Sequence, residues 1–408
     1  MARFIADFHI HSRYSRATSN QMDIESLDRH ARAKGIRLLG TGDFTHPQWF
    51  FELKSKLKPA GEGLFQFGET LFILTTEVCN NFRHKGAGKR IHNLIFAPGF
   101  ETVEQINRAL QPYGDLRLDG RPNLALSAED LVKLILDISS DCLIVPAHVW
   151  TPWFSLFGAN SGFDRIGDCF GHQTENIYAL ETGLSSDPPM NWRLSCLDRF
   201  TLISNSDAHS PAKIGREANI FDIPLAYREI TEAIKTKRGL LCTIEFFPQE
   251  GKYHYDGHRK CEVCLSPKES KELNNRCPVC GRPLTIGVMH RVDELADRPE
   301  GFTPQNAVPC KHLVPLGEII SEALGVAEET ITVKNQYDRL IQHFGSEFYV
   351  LMEAPVQELE GFAPLRVCEG ILKVRNGDVH ISPGYDGAYG KVRILEQKER
   401  QQVQMKLF

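Results

Sequence analysis

The sequence contains no apolar run long enough to span a bilayer, and its N-terminus lacks a signal-peptide pattern. The expectation is therefore a cytoplasmic protein without a membrane partner. There is also no excess of positive charge. At a net charge of −5, any surface for nucleic acid must be a local patch, offset by acidic surface elsewhere. A reducing compartment argues against disulfides, so the 11 cysteines read as thiols or metal ligands. The apolar and charged fractions, 42% and 24%, are those of a globular chain. A length of 408 residues exceeds one ordinary core and predicts about two or three domains.

The stretch that organises the chain is Asp7-Phe8-His9-Ile10-His11-Ser12, which follows the apolar pair Phe4-Ile5. Alternate side chains of a strand share a face, so His9 and His11 project together and make half of a metal site. Asp23 is placed to cap a helix carrying Ile24, Leu27 and Ala31, which Gly35 ends. A second strand over 36–39 runs into Thr41-Gly42-Asp43-Phe44-Thr45-His46. Strand, helix, strand with a carboxylate after the second strand predicts a parallel α/β unit. Further strands carry or end in Glu77, His92, His148, Glu181 and the run Asp207-Ala208-His209. His92 fits less well, because it stands at the start of its strand. Roughly seven strands precede residue 245, and most end in an acid or an imidazole, as barrel strands that build a site do. Buried acids and imidazoles need partners, and a shared cation supplies them.

His9-x-His11, the Thr-x-Asp43 turn, Glu77, His92, Pro-x-His148 and Asp207-x-His209 resemble the polymerase-and-histidinol-phosphatase (PHP) family. That resemblance implies a distorted seven-stranded α/β barrel of metal-dependent phosphoesterases over residues 1–248. It implies a metal held by His9, His11, Glu77 and Asp207, with Glu77 bridging to a second at His92 and His148. A third would use His209 and either Asp43 or His46, since Phe44 stands where the family has histidine. Imidazole mixed with carboxylate suits Zn²⁺, Mn²⁺ or Fe²⁺ better than Mg²⁺. His9, His11, Glu77 and Asp207 would be the catalytic set, with metal-activated water as nucleophile. Glu181 is either a group that orients a ligand or a strand-end ion pair. The aromatic loop Trp150, Trp153, Phe154 after His148 either contacts DNA bases or packs on the rim.

Residues 249–284 carry two Cys-x-x-Cys knuckles, Cys261/Cys264 and Cys277/Cys280, and predict a structural zinc ribbon. Arg259, Lys260, Arg276 and Arg282 are its candidate phosphate contacts. Residues 285–395 predict a small α/β domain, with a helix over 313–324 and strands at 348–352 and 372–374. It holds the loop Gly384-Tyr385-Asp386-Gly387. Barrel, ribbon and this module together resemble the endonuclease Q group. That implies nicking of DNA on the 5′ side of a deaminated base (uracil, hypoxanthine, xanthine) or abasic site, with the damaged nucleotide flipped out of the stack. The alternative is a phosphatase of a small phosphomonoester such as histidinol phosphate. A third reading is a binding protein with a silent barrel. The polar leash over 396–402 ends in Gln404-Met405-Lys406-Leu407-Phe408. Its Gln404, Leu407 and Phe408 resemble the peptide by which bacterial repair proteins bind the sliding clamp.

Overall fold

The computed structural model describes residues 2–395; Gln404, Leu407 and Phe408 of the clamp-like motif lie outside the described residues. The central strand, Ala2–Asp7, runs antiparallel to Ala218–Ile223 and parallel to Leu38–Gly40. Leu38–Gly40 in turn runs parallel to the start of Thr70–His84. The helix Ile24–Lys34 makes the first crossover. Asp23 caps it by accepting from the Ser26 N–H at 2.9 Å, and Gly35 ends it at φ 86°, where a side chain would be strained.

Thr70–His84 and Ala87–Ala97 form one long antiparallel hairpin. Its two-residue turn, Lys85-Gly86, has positive φ at both positions, which matches the twist of the flanking strands. This explains His92. Its strand runs backwards, so the strand's start meets the end that carries Glu77: Glu77 lies opposite Leu94, and His92 opposite Cys79. Leu143–Pro146 pairs antiparallel on the far side of Ala87–Ala97 and leads directly to His148.

Ala179–Glu181 and Thr201–Ile203 form a separate parallel pair. Side-chain bonds tie it to the sheet: Asn219 accepts from Ser204 N at 3.0 Å and donates to Ser204 O at 2.7 Å. The α/β class is as expected. Among the described residues the backbone pairing gives one mixed 11-stranded sheet, this pair and two further two-stranded sheets later in the chain. Leu38, Ile73, Phe96 and Val145 feed one apolar core, whereas Leu39, Phe72 and Leu74 face the helices. Adjacent residues thus alternate between cores, as in a sheet covered on both faces.

The last third differs from expectation. Residues 347–352 and 365–376 are helices (Glu347–Met352 and Leu365–Asn376), not strands. Val367, Ile371 and Val374 recur at helical spacing and are buried, a period that a three-residue window hides. Cys310–His312 belongs to the main sheet, parallel to Leu240–Glu245. The C-terminal part is therefore a helical unit, with a hairpin, His380–Ser382 with Lys391–Arg393, at its end. The Gly384–Gly387 loop clasps the cysteine-bearing segment. Tyr255 N donates to Gly384 O at 3.0 Å, and Asp386 accepts from Arg259 N and from the Thr285 hydroxyl. No described helix is long and apolar enough to cross a membrane.

Candidate active site

Beyond the central strand the chain stays extended, with His11 N donating to Ala208 O at 3.0 Å. His9 and His11 therefore share a face. Nε2 of His9 lies 3.4 Å from Glu77 Oε2 and 3.7 Å from Asp207 Oδ1, and Nε2 of His11 lies 3.2 and 3.0 Å from the same two atoms. The other Glu77 oxygen, Oε1, lies 2.6 Å from His92 Nδ1 and 2.9 Å from His148 Nε2. Two donor groups, His9–His11–Glu77–Asp207 and Glu77–His92–His148, thus meet at one carboxylate, each with ligand atoms mutually within 4.8 Å.

The donor set fits divalent cations on its own terms. His9 Nε2, His11 Nε2 and Asp207 Oδ1 are buried, and none makes a well-formed hydrogen bond within the described residues. Such orphaned atoms are costly unless something shared satisfies them. Burial pushes the His92 imidazole down to about 4, which favours the neutral form a ligand must take. At His9, His11 and His148 burial is outweighed by the neighbouring carboxylates, which raise the rings, so a metal binding there would displace protons. Burial alone would raise Glu77, but His92, Arg121 and His9 outweigh it and hold the carboxyl well below its usual range. His148 and Asp207 take positive φ, 32° and 48°, a strained backbone for non-glycine residues of the kind that clusters at sites.

The His9 and His11 rings are held from behind. His9 Nδ1 bonds to both oxygens of Glu181 at 3.0 Å, and Glu181 also accepts from His148 N and Asn205 Nδ2, each at 2.8 Å. His11 Nδ1 bonds to Asp43 Oδ1 at 2.9 Å. Asp43 Oδ2 accepts from Ser12 N, Ser12 Oγ and Ser15 Oγ at 2.6, 2.7 and 2.9 Å. Asp43, expected as a ligand, is thus a saturated brace. His46 also stays apart from the donor groups: its ring stacks on Tyr14 and its Nε2 meets Arg117 O. His209 sits at the edge, its ring 4.5 Å from that of His11 and its Nδ1 bonded to Asp207 O.

The aromatic loop divides. Trp150 is 1% exposed, packs on Phe157 and donates its indole N–H to Asn191, so it belongs to the core and is not a DNA contact. Trp153 is 44% exposed, and Phe154 stacks on the His92 ring at 5.3 Å. On the cysteine-bearing segment, Arg259, Lys260, Arg276 and Arg282 are exposed. Its donor group is His258, Cys261, Cys277 and Cys280, with Cys264 outside it. Strand phase explains this. Cys264 lies opposite Gly257, on the face covered by Tyr385, and its Sγ is 3.9 Å from Pro383 O. His258, one residue on, turns to the other face.

Sequence reasoning missed His258 and Arg121. His258 carried a signal, its three-residue spacing from Cys261. Arg121 carried none, since it is one arginine in a polar loop, yet its Nη1 lies 3.1 Å from Glu77 Oε2.

A family model described as the MJ0043 C-terminal domain matches residues 315–378. MJ0043 itself, an uncharacterized protein of Methanocaldococcus jannaschii, is 34% identical over 259 residues. The match takes in 62% of this chain and 32% of that protein, so the chain spans about a third of that relative. Uncharacterized protein YqxK of Bacillus subtilis is 30% identical over 418 residues, covering 96% of this chain and 100% of that one. The crystal structure of the lesion-specific endonuclease PfuEndoQ from Pyrococcus furiosus has a TM-score of 0.87 and 34% identity, covering 97% of this chain and 96% of that one. Endonuclease Q bound to a 27-mer duplex substrate with an abasic lesion at its active site has a TM-score of 0.85 and 33% identity, covering 98% of both chains. The chain belongs to the endonuclease Q family.

Proposed function

We propose that this protein is a metal-dependent endonuclease that hydrolyses DNA on the 5′ side of a deaminated base or an abasic site. One observation carries the reading. Glu77 is a single buried carboxylate whose two oxygens each serve a separate convergent donor group. His9, His11, Glu77 and Asp207 would hold one divalent ion, and Glu77, His92 and His148 a second. When bound, such a pair lowers the pKa of a coordinated water and stabilises charge on the attacking and leaving oxygens of a phosphodiester. Glu181 and Asp43 fix the His9 and His11 rings from the Nδ1 side, so that each Nε2 presents its lone pair to the centre. The nucleophile is water, not a side chain. A new P–O bond forms, the P–O3′ bond breaks, and the leaving oxygen ends as a 3′-hydroxyl with a 5′-phosphate opposite.

The choice of damaged DNA rests on family membership and on the abasic-DNA complex of a relative that matches over nearly the whole chain. Trp153, Phe154, Arg259 and Lys260 are the residues we assign to DNA contact. His258, Cys261, Cys277 and Cys280 would hold one structural zinc. From the resemblance alone, Gln404, Leu407 and Phe408 would engage a sliding clamp; deleting 404–408 should then abolish clamp capture yet leave nicking of a short duplex intact.

The test is a substrate panel: duplexes with an abasic site, uracil, hypoxanthine, xanthine or no lesion, and histidinol phosphate separately. Nicking 5′ of the lesion in the damaged duplexes is the expected result. Hydrolysis of histidinol phosphate with all duplexes left intact would move the protein to the small-molecule phosphatases.

A further inference from the structure

Arg121 is placed with more care than a loop arginine needs. Its loop is locked onto the brace behind His11. Gly120 N donates to Tyr14 O at 3.1 Å, and Thr45 Oγ1 donates to Gly120 O at 3.2 Å. A Cβ on Gly120 would stand 2.2 Å from Asp43 Oδ2 and 2.4 Å from Ser15 Oγ, so the backbone approaches this closely only as glycine. Arg121 N donates to Asp119 Oδ1 at 3.2 Å, which fixes the backbone from which the side chain extends. There one guanidinium nitrogen meets Glu77 Oε2, the oxygen that faces His9 and His11.

The remaining donors of that guanidinium make no hydrogen bond among the described residues, although Asp207 and Asp119 also act on its charge. The side chain is 26% exposed, and it lies within electrostatic reach of Asp207 and His209, whose side chains are 28% and 31% exposed. His9, His11 and Glu77 are wholly buried behind them. The His92 and His148 side chains, at 7% and 9% exposure, are more closed, so the Arg121 flank is the wider opening offered to a phosphate. A planar fork with free N–H groups matches a phosphate's oxygens. Cations shared with Glu77 would weaken its hold on Arg121 and leave the fork to the substrate.

We propose that Arg121 binds a non-bridging oxygen of the scissile phosphate, supplying positive charge on the flank where neither Asp43 nor His46 completes a third metal site. This inference rests on the endonuclease reading above. The experiment uses the full-length, metal-loaded protein with Arg121→Gln and Arg121→Lys. For Arg121→Gln, kcat/KM on an abasic duplex should fall by about 100- to 1,000-fold, as when one preorganised oxyanion donor is removed. Inhibition by inorganic phosphate should weaken in parallel. Metal content by elemental analysis should stay at the wild-type level, and Arg121→Lys should recover part of the phosphate affinity. Unchanged kcat/KM and phosphate inhibition in Arg121→Gln would overturn the proposal. So would a loss that comes with loss of bound metal, which would make Arg121 a brace for Glu77. If the wild-type protein nicks no damaged duplex, the endonuclease reading fails on its own, and phosphate affinity still decides the role of Arg121.

Discussion

Glu181→Gln isolates the part of the centre that touches no substrate. The Glu181 carboxylate is fully buried and accepts from the His9 ring, His148 N and Asn205 Nδ2. Glutamine keeps the shape but turns one acceptor into an NH₂ group, which must then face an N–H donor. The loss is about one hydrogen bond to a charged group, roughly 1.5–3 kcal/mol, or about 10- to 150-fold in an equilibrium constant. Substitutions of groups that orient metal ligands cost about 10–100-fold in metal affinity, which agrees. The assay is calorimetric titration of chelator-stripped protein with Mn²⁺. Glu181→Gln should bind about 10–100-fold more weakly, and its nicking should recover as metal is raised to saturation. Wild-type Mn²⁺ affinity in a folded Glu181→Gln protein would refute the orienting role and leave Glu181 as an ordinary buried anion.

Other expectations follow from the same geometry. Cys277→Ser should remove about one equivalent of zinc and unfold the ribbon, while Cys264→Ala should leave the zinc in place; metal analysis of both distinguishes the His258-containing set from a four-cysteine one. Trp150→Ala should cost about 3–5 kcal/mol of stability in denaturant unfolding. Trp153→Ala should leave stability unchanged and weaken binding to a damaged duplex by about 1–3 kcal/mol, as for one lost base-stacking contact. Burial, with the Asp187 carboxylate nearby, pushes Glu245 up to about 7, although the Ser204 hydroxyl donates to it. The folded carboxyl therefore holds a proton that the unfolded one has lost. The stability is intact below the ordinary glutamate value of 4.5, falls as pH rises from there, and levels off above about 7. Glu245→Gln should raise Tm at pH 8 and leave it unchanged at pH 4, as thermal melts at the two pH values would show.

The parts of the site that were legible in the sequence were those fixed by local period. His9 and His11 share a face because a strand alternates every second residue, whereas Asp207, at φ 48° and outside any strand, was reached through the family resemblance. What was hidden depended on segments far apart in the chain. Asp43 and Asp207 both follow short strands, and only the fold shows Ser12 and Ser15 saturating one while the other stays open. The direction of the His92 strand was set by the Lys85-Gly86 turn, whose consequence for pairing appears once the hairpin is built. Cys264 was excluded by strand phase against Gly257, which a knuckle motif does not encode. In the helical C-terminal unit, 348–352 and 372–374 were read as strands because such short apolar runs do not separate a helical period from a strand's. Arg121 reaches Glu77 through a glycine contact with Asp43, a relation between three separate loops.

The central claim is that the paired donor groups at Glu77 cut DNA beside a lesion through bound cations. It is tested most directly by chelator-stripped protein on a labelled duplex with one abasic site, with Mn²⁺ added back, and with Asp207→Ala alongside. The account predicts no nick from stripped wild type and a restored nick on the 5′ side of the lesion once metal returns. It predicts no nick from folded Asp207→Ala at any metal concentration. Undiminished cleavage by the stripped protein or by Asp207→Ala would contradict it.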